Sequence, residues 1–257
     1  MFFANCRSGD AVNEIRVGTS GFAYAAWKPD FYPVDTPASK FLNYYSTQLN
    51  CVEVNYTFRR RPTEKTLQCW CDSTPEAFQF VVKAHQRITH IKRLNDVQQE
   101  VRSFYNSIEP LFYAKRLGPV LFQLPPNLKI DVPRLRGFLE LLPRGARAAI
   151  EFRNESWFTD EVYSLMREHD VALCVAESDD LQVPEVHTAS FTYYRLRRSD
   201  YSSAELKQIE KRLAAALKQR DVYAFVKHEE NPASPLNARR LLRALFGAER
   251  TRSRSAA

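Results

Sequence analysis

Glycine is scarce, seven in 257 residues, and neither GxGxxG nor GxxxxGK[ST] occurs, so the common glycine-rich nucleotide cradles are excluded. No apolar run reaches the roughly 18 residues of a membrane helix. Met1-Phe2-Phe3 gives way to Cys6, Arg7 and Asp10 rather than to the apolar core of a signal peptide. A soluble, cytoplasmic protein with no membrane partner is therefore expected. The five cysteines, Cys6, Cys51, Cys69, Cys71 and Cys174, are odd in number and scattered, which argues against a secreted disulfide framework. Cys69 and Cys71 stand too close for a zinc knuckle, so no structural metal is indicated. Against these absences stand 44% hydrophobic and 26% charged residues, enough for a substantial core. The net charge of +7 permits a polyanionic partner without naming one.

The main positive signal is alternation. Short β-branched and aromatic runs begin near Ile15, Cys51, Phe78, Pro119, Arg147, Val171, Phe191 and Val222, with helical periodicity between most of them. Val97, Val101, Phe104, Ile108 and Leu111 share one helix face, and Lys115-Arg116, Gly118 and Pro119 supply stop signals. Leu206, Ile209, Leu213 and Leu217 repeat the pattern behind a capping box of Ser202 and Glu205. Shorter amphipathic stretches begin at Phe41, Leu67, Leu135, Val162 and Leu241. Eight such units predict an α/β fold, a single parallel eight-stranded (β/α)8 barrel, with the helix after strand six short or missing. The expected organisation is a flexible N-terminal extension over 1–14, the barrel over 15–246 and a basic disordered tail over 247–257.

Strand parity then assigns side chains to faces, because residues i and i+2 point the same way. With Val52, Val54, Phe80, Val82, Val120, Phe122, Ile150 and Phe152 turned toward the helices, Glu53, Asn55, Lys83, Gln123, Glu151 and Arg153 face the interior. The seventh strand can aim Tyr193 and Arg195 inward, and the eighth ends in Lys227, His228 and Glu229. These polar residues come late in their strands, at the end where barrels of this type carry their sites. A ring of inward charge has a second explanation, an ion-pair network that merely closes the mouth. After the first strand, Tyr24 and Trp27 can stack on a ligand, Phe22 and Phe31 can pack on the rim, and Thr19, Ser20 and Gly21 can offer backbone N–H groups to an anion.

GTSGFAYAAWKPDFYP, VEVNYTFRRRP, FVVKAHQRITH, LGPVLFQLPP, IEFRNESWF, YYRLR and FVKHEENP occur in an order that resembles the YecE-like family, domain of unknown function 72. The resemblance runs from about Val17 to about Leu245 and implies a TIM barrel in the cytoplasm, without an assigned reaction. Gly18, Thr19, Ser20, Gly21, Tyr24, Trp27, Tyr32, Glu53, Asn55, Phe58, Lys83, His90, Gln123, Pro125, Glu151, Arg153 and Trp157 match the family pattern. The seventh strand departs from it: Arg195-Leu196-Arg197-Arg198 stands where many members resemble RLHG.

Three functions follow. The first is an acid/base enzyme (lyase, isomerase or hydrolase) or a binder of a small anionic or polyhydroxylated ligand, with Glu53, Lys83 and Glu151 as catalytic candidates. Its ligand contacts would be Thr19, Ser20, Tyr24, Trp27, Asn55, Gln123, Arg153, Arg195, Lys227 and His228. Lys83 as a Schiff-base nucleophile is a sharper variant that neighbouring glutamates would oppose. The second is a divalent-metal isomerase or hydrolase using Glu53, Glu151, Glu177 and His228, with magnesium or manganese, while His85 and His90 are candidates for proton transfer. The third, less favoured, is a nucleic-acid or interaction module built on Arg59 to Pro62, Tyr193 to Arg198 and the arginine tail. No cofactor and no oligomeric state is indicated.

Overall fold

Eight parallel strands alternate with helices in the computed structural model, which describes residues 12–177, 181–198, 200–227 and 231–255. The strands are β1 (Ile15–Thr19), β2 (Cys51–Val54), β3 (Gln79–Lys83), β4 (Leu117–Gln123), β5 (Ala148–Glu151), β6 (Val171–Ala176), β7 (Phe191–Leu196) and β8 (Asp221–Val226). The helices are α1 (Phe41–Gln48), α2 (Glu64–Asp72), α3 (Gln98–Tyr113), α4 (Val132–Leu139), α5 (Asp160–Glu168), α6 (Ser203–Leu217) and α7 (Ala233–Ser255). Strand neighbours run β1-β8-β7-β6-β5-β4-β3-β2, the order of a (β/α)8 barrel. Between β6 and β7, residues 181–190 form no helix, as their sequence suggests.

Parity divides the apolar residues into two cores. Val52, Val54, Phe80, Val82, Phe122 and Ile150 pack outward against the helices. Cys51, Val81, Leu121, Ala149, Tyr193 and Phe225 fill the barrel interior. Each large apolar side chain so buried contributes about 1.5–3 kcal/mol. Local signals agree with this packing: Thr63, Asp131 and Thr159 cap α2, α4 and α5. The capping box closes around Ser202, whose hydroxyl accepts from Glu205 N at 3.2 Å while Ser202 N donates to the Glu205 carboxylate at 2.8 Å.

The barrel closes at β1 and β2 largely through side chains. Val17 N donates to Asn50 Oδ1 at 2.9 Å and Asn50 Nδ2 donates to Ile15 O at 2.8 Å. One step higher, Thr19 N donates to the Tyr45 hydroxyl at 2.8 Å, which donates to Cys51 O at 3.1 Å. A backbone bond from Gly21 N to Glu53 O, 2.8 Å, completes the seam at the mouth. Gly18 is required here, since a Cβ would lie 2.1 Å from Cys51 O. A second irregularity places Phe80 beside Leu117 but Val82 beside Val120, so β4 carries one extra residue across Gly118-Pro119.

The helix α7 extends through Ser255, past Gly247, where the basic tail was expected to begin. An amphipathic stretch that packs up to Leu245 propagates beyond its buried face, because each added helical residue gains one backbone hydrogen bond without a new nucleation cost. Residues 1–11 of the expected N-terminal extension lie outside the described residues.

Candidate functional site

In β2, β3, β4, β5, β7 and β8 a polar residue stands two positions beyond the last inward apolar one. Glu53 follows Cys51, Lys83 follows Val81, Gln123 follows Leu121, Glu151 follows Ala149, Arg195 follows Tyr193 and Lys227 follows Phe225. Strand parity thus converts a sequence spacing into a polar layer over a closed apolar core.

Arg195 is the centre of that layer and is 1% exposed. Its NH2 donates to Glu53 Oε1 at 2.8 Å and its NH1 to Glu151 Oε2. Glu53 also accepts from Ser20 Oγ at 2.5 Å and from the Tyr193 hydroxyl at 2.6 Å. Glu151 Oε1 faces the guanidiniums of Arg153 and, at 3.4 Å, Arg197. Burial alone would raise the Glu151 pKa, but Arg195 and Arg153 outweigh it and hold the carboxyl below its ordinary range. Both glutamates lie fully buried beneath the cleft with each carboxylate already holding three contacts.

Above this floor the balance of charge changes. Lys83 Nζ donates to the neutral Gln123 Oε1 at 2.7 Å and lies 4.2 Å from the centre of the Phe58 ring. Neither Lys83 nor Lys227 has a carboxylate within salt-bridge distance among the described residues. Burial, then Arg195, lowers the Lys83 pKa to about 8, with Glu151 and Glu53 opposing. His90 sits edge-on to Phe58 at 4.9 Å, and burial, followed by Lys83 and two arginines, lowers its pKa. These groups border an open cleft of about 370 Å³ whose walls include Asn55, Phe58, Arg59, Arg60, Lys83 and Lys227, with Arg195 at its base. Asn55 Oδ1 is buried there without a hydrogen-bond partner.

Cavity size does not single out this cleft, because a groove of about 790 Å³ at the opposite end of the barrel is larger. Chemistry does: three guanidiniums, those of Arg153, Arg195 and Arg197, meet two carboxylates, and two ammonium groups are added with no counter-ion in contact among the described residues. Among the described residues no three His, Cys, Asp or Glu side chains gather as a metal site. Glu177 is engaged at the rim by Arg197 N at 2.9 Å and by the Tyr201 hydroxyl. The described cysteines, Cys51, Cys69, Cys71 and Cys174, are free thiols.

The profile of the family described as "Protein of unknown function DUF72" matches residues 16–256. The chain belongs to the DUF72 family. A UPF0759 protein, YunF of Bacillus subtilis, is 33% identical over 139 residues, covering 51% of this chain and 49% of that protein, so the alignment spans about half the relative's length. The solved DUF72 protein TM1631 of Thermotoga maritima superposes with a TM-score of 0.79 at 26% identity, covering 91% of this chain and all of that one. The Enterococcus faecalis DUF72 protein EF0366 gives 0.78 at 18% identity over 90% of this chain and 95% of that one. A xylose isomerase domain protein from Alicyclobacillus acidocaldarius, at 0.52 and 14%, shares the fold alone.

Within this DUF72 barrel, Glu53, Lys83, Gln123, Glu151, Arg153, Arg195, Lys227 and Asn55 come together at the mouth. Three expected contacts do not join them. Thr19 turns to the helix layer, its hydroxyl donating to Gly21 O at 2.6 Å and lying 2.9 Å from the Tyr45 hydroxyl. Trp27 is 1% exposed in an aromatic stack with Tyr24 and Tyr32, because a ring of that size gains more from enclosure than from lining a wet cleft. The Ser20 hydroxyl donates to Glu53, and the Ser20 and Gly21 N–H groups close the barrel on Val226 O and Glu53 O rather than forming an anion nest. Tyr24 borders an adjoining apolar groove with Val54 and Trp70 that shares Asn55 and Tyr56 with the cleft. His228 and Glu229 lie outside the described residues. Strand parity turns Tyr193 inward without naming Glu53 as its partner, and Arg59 and Arg60 as cleft walls were missed. The two arginines lie in a loop where no periodicity applies.

Proposed function

We propose that the mouth binds a small ligand carrying an anionic group and hydroxyls, such as a sugar acid or sugar phosphate, and performs acid/base chemistry on it. The observation that supports this reading is the co-location in one cleft of Lys83 and Lys227, which have no carboxylate partner among the described residues, and the unpartnered Asn55 Oδ1. An anion would satisfy the two ammonium groups and the guanidiniums of Arg59 and Arg60, while a ligand hydroxyl would donate to Asn55 Oδ1. A cleft of about 370 Å³ suits a molecule of that size. In this reading Glu53 and Glu151 orient Arg195 as a fixed positive charge, and Lys83, titrating near neutrality, exchanges the proton.

Thermal unfolding against sugar phosphates, sugar acids and neutral sugars of matched size tests the proposal. Stabilisation by the anionic compounds, weakened by salt and lost in Lys83→Met, Lys227→Met and Asn55→Leu, is the expected result. Stabilisation by neutral sugars alone, or retention in the Lys83→Met/Lys227→Met double variant, would remove the reading.

A further inference from the structure

Lys83 is placed differently from an ordinary barrel lysine, and the difference bears on covalent chemistry. Its nitrogen touches a neutral amide oxygen, Gln123 Oε1 at 2.7 Å, and an aromatic face, Phe58 at 4.2 Å, and no carboxylate among the described residues. Glu53 and Glu151, which the sequence places nearby as opposing charges, are each held by Arg195, and their remaining contacts go to Ser20, Tyr193, Arg153 and Arg197. Among the described residues, Arg195 and Lys227 face the nitrogen from β7 and the end of β8, Arg59 and Arg60 share its cleft from the loop after β2, and His90 lies near it in the loop after β3. Four cations and one imidazole among the described residues therefore border this amine, against two carboxylates that Arg195 bridges.

We propose that Lys83 is an imine-forming nucleophile, and that the anionic ligand of the mouth carries a ketone or aldehyde. This rests on the reading of the mouth as a ligand site and names the reactive group of that ligand. The neutral amine lone pair attacks the carbonyl carbon, a C–N bond forms, and the carbonyl electron pair moves to oxygen, which takes a proton from solvent in the open cleft. The nitrogen then loses one proton as its lone pair forms C=N, while the hydroxyl leaves as water with a second proton, so amine, carbonyl and one net proton give iminium and water. The iminium keeps the positive charge where the ammonium stood, still within reach of Gln123 Oε1. Burial and the neighbouring cations lower the amine's pKa to about 8, so roughly a tenth is free base at pH 7, far more than for an ordinary lysine. The ligand's carboxylate or phosphate would meet Lys227, Arg59 and Arg60.

The test uses glyoxylate and pyruvate as probes with cyanoborohydride, peptide mapping of the adduct by mass spectrometry, and thermal shift by the same two acids without reductant. Selective labelling of Lys83, at least about tenfold faster than at any other lysine and rising with pH through a midpoint at about 8, is expected. Lys83→Arg should lose the adduct, and Lys207→Arg, on the exposed face of α6, should keep it. Thermal stabilisation by the acids with labelling spread over surface lysines would overturn the imine while leaving the ligand site. Neither stabilisation nor selective labelling would overturn both.

Discussion

The two ends of the barrel both bury arginine against carboxylate, and they differ in what is left over. At the N-terminal end Arg147 donates to Asp221 Oδ2 at 2.6 Å and to the Tyr223 hydroxyl at 3.0 Å, between the rings of Phe191 and Tyr223. Tyr223 passes the chain to Gln79 Oε1 at 2.8 Å, Asp221 Oδ1 accepts from Glu14 N at 2.9 Å, and Arg16 pairs with Glu14 at 2.7 Å. Cation and carboxylate match one to one in these two pairs. At the C-terminal end three guanidiniums share two carboxylates, and Lys83 and Lys227 add charge that no carboxylate among the described residues contacts. A buried ion pair is therefore no mark of a site in this protein; the surplus is.

Removing the central cation from each end tests that contrast most strongly. Arg195→Met strands two buried carboxylates and should cost about 3–5 kcal/mol or prevent folding, whereas Arg147→Met leaves Asp221 a backbone donor and should cost about 1–3 kcal/mol in urea unfolding. Equal losses would break the comparison. Glu151→Gln should cost about 2–3 kcal/mol at pH 7. Because the folded carboxyl titrates below its ordinary value, this advantage exists above about pH 4.3 and fades as pH falls through the folded value. An advantage that persists undiminished at pH 2 would contradict the ion-pair origin.

Lys83→Met gives a smaller effect of the opposite sense. The folded ammonium loses its proton near 8 and the unfolded one near 10.4, so between those values the unfolded state binds more protons and wild-type stability rises with pH. Relative to Lys83→Met, wild type should gain about 1–3 kcal/mol from pH 7 to pH 10, and a flat difference would mean that Lys83 is solvated normally. Ser20→Ala, which removes one donor from Glu53, should cost about 1 kcal/mol, with the ligand response of the mouth intact.

The barrel was legible because its evidence is periodic. Val97 to Leu111 reads as one helix face and folds as α3, and the i, i+2 rule that sets Val52 outward sets Glu53 inward. The mouth was half legible: parity reached Lys83, Gln123, Glu151, Arg153, Arg195 and Lys227. It did not reach loop geometry, where Trp27 turns into an aromatic stack and the Ser20 and Gly21 amides close the seam. Arg59 and Arg60, which the sequence offers as part of a basic run, line the cleft because a short turn at Tyr56–Phe58 carries the chain over the rim.

Sequence alone determined the eight β/α units, the face of each strand residue and hence the charge gathered at one end, because side-chain direction in a strand follows from covalent geometry. Tertiary structure decided who pairs with whom. Glu53 and Arg195 stand 142 residues apart in the chain and 2.8 Å apart in space. Only barrel closure brings both glutamates onto one guanidinium and so leaves Lys83 with an amide and an aromatic ring, since a charge's partners depend on distances that no local pattern encodes.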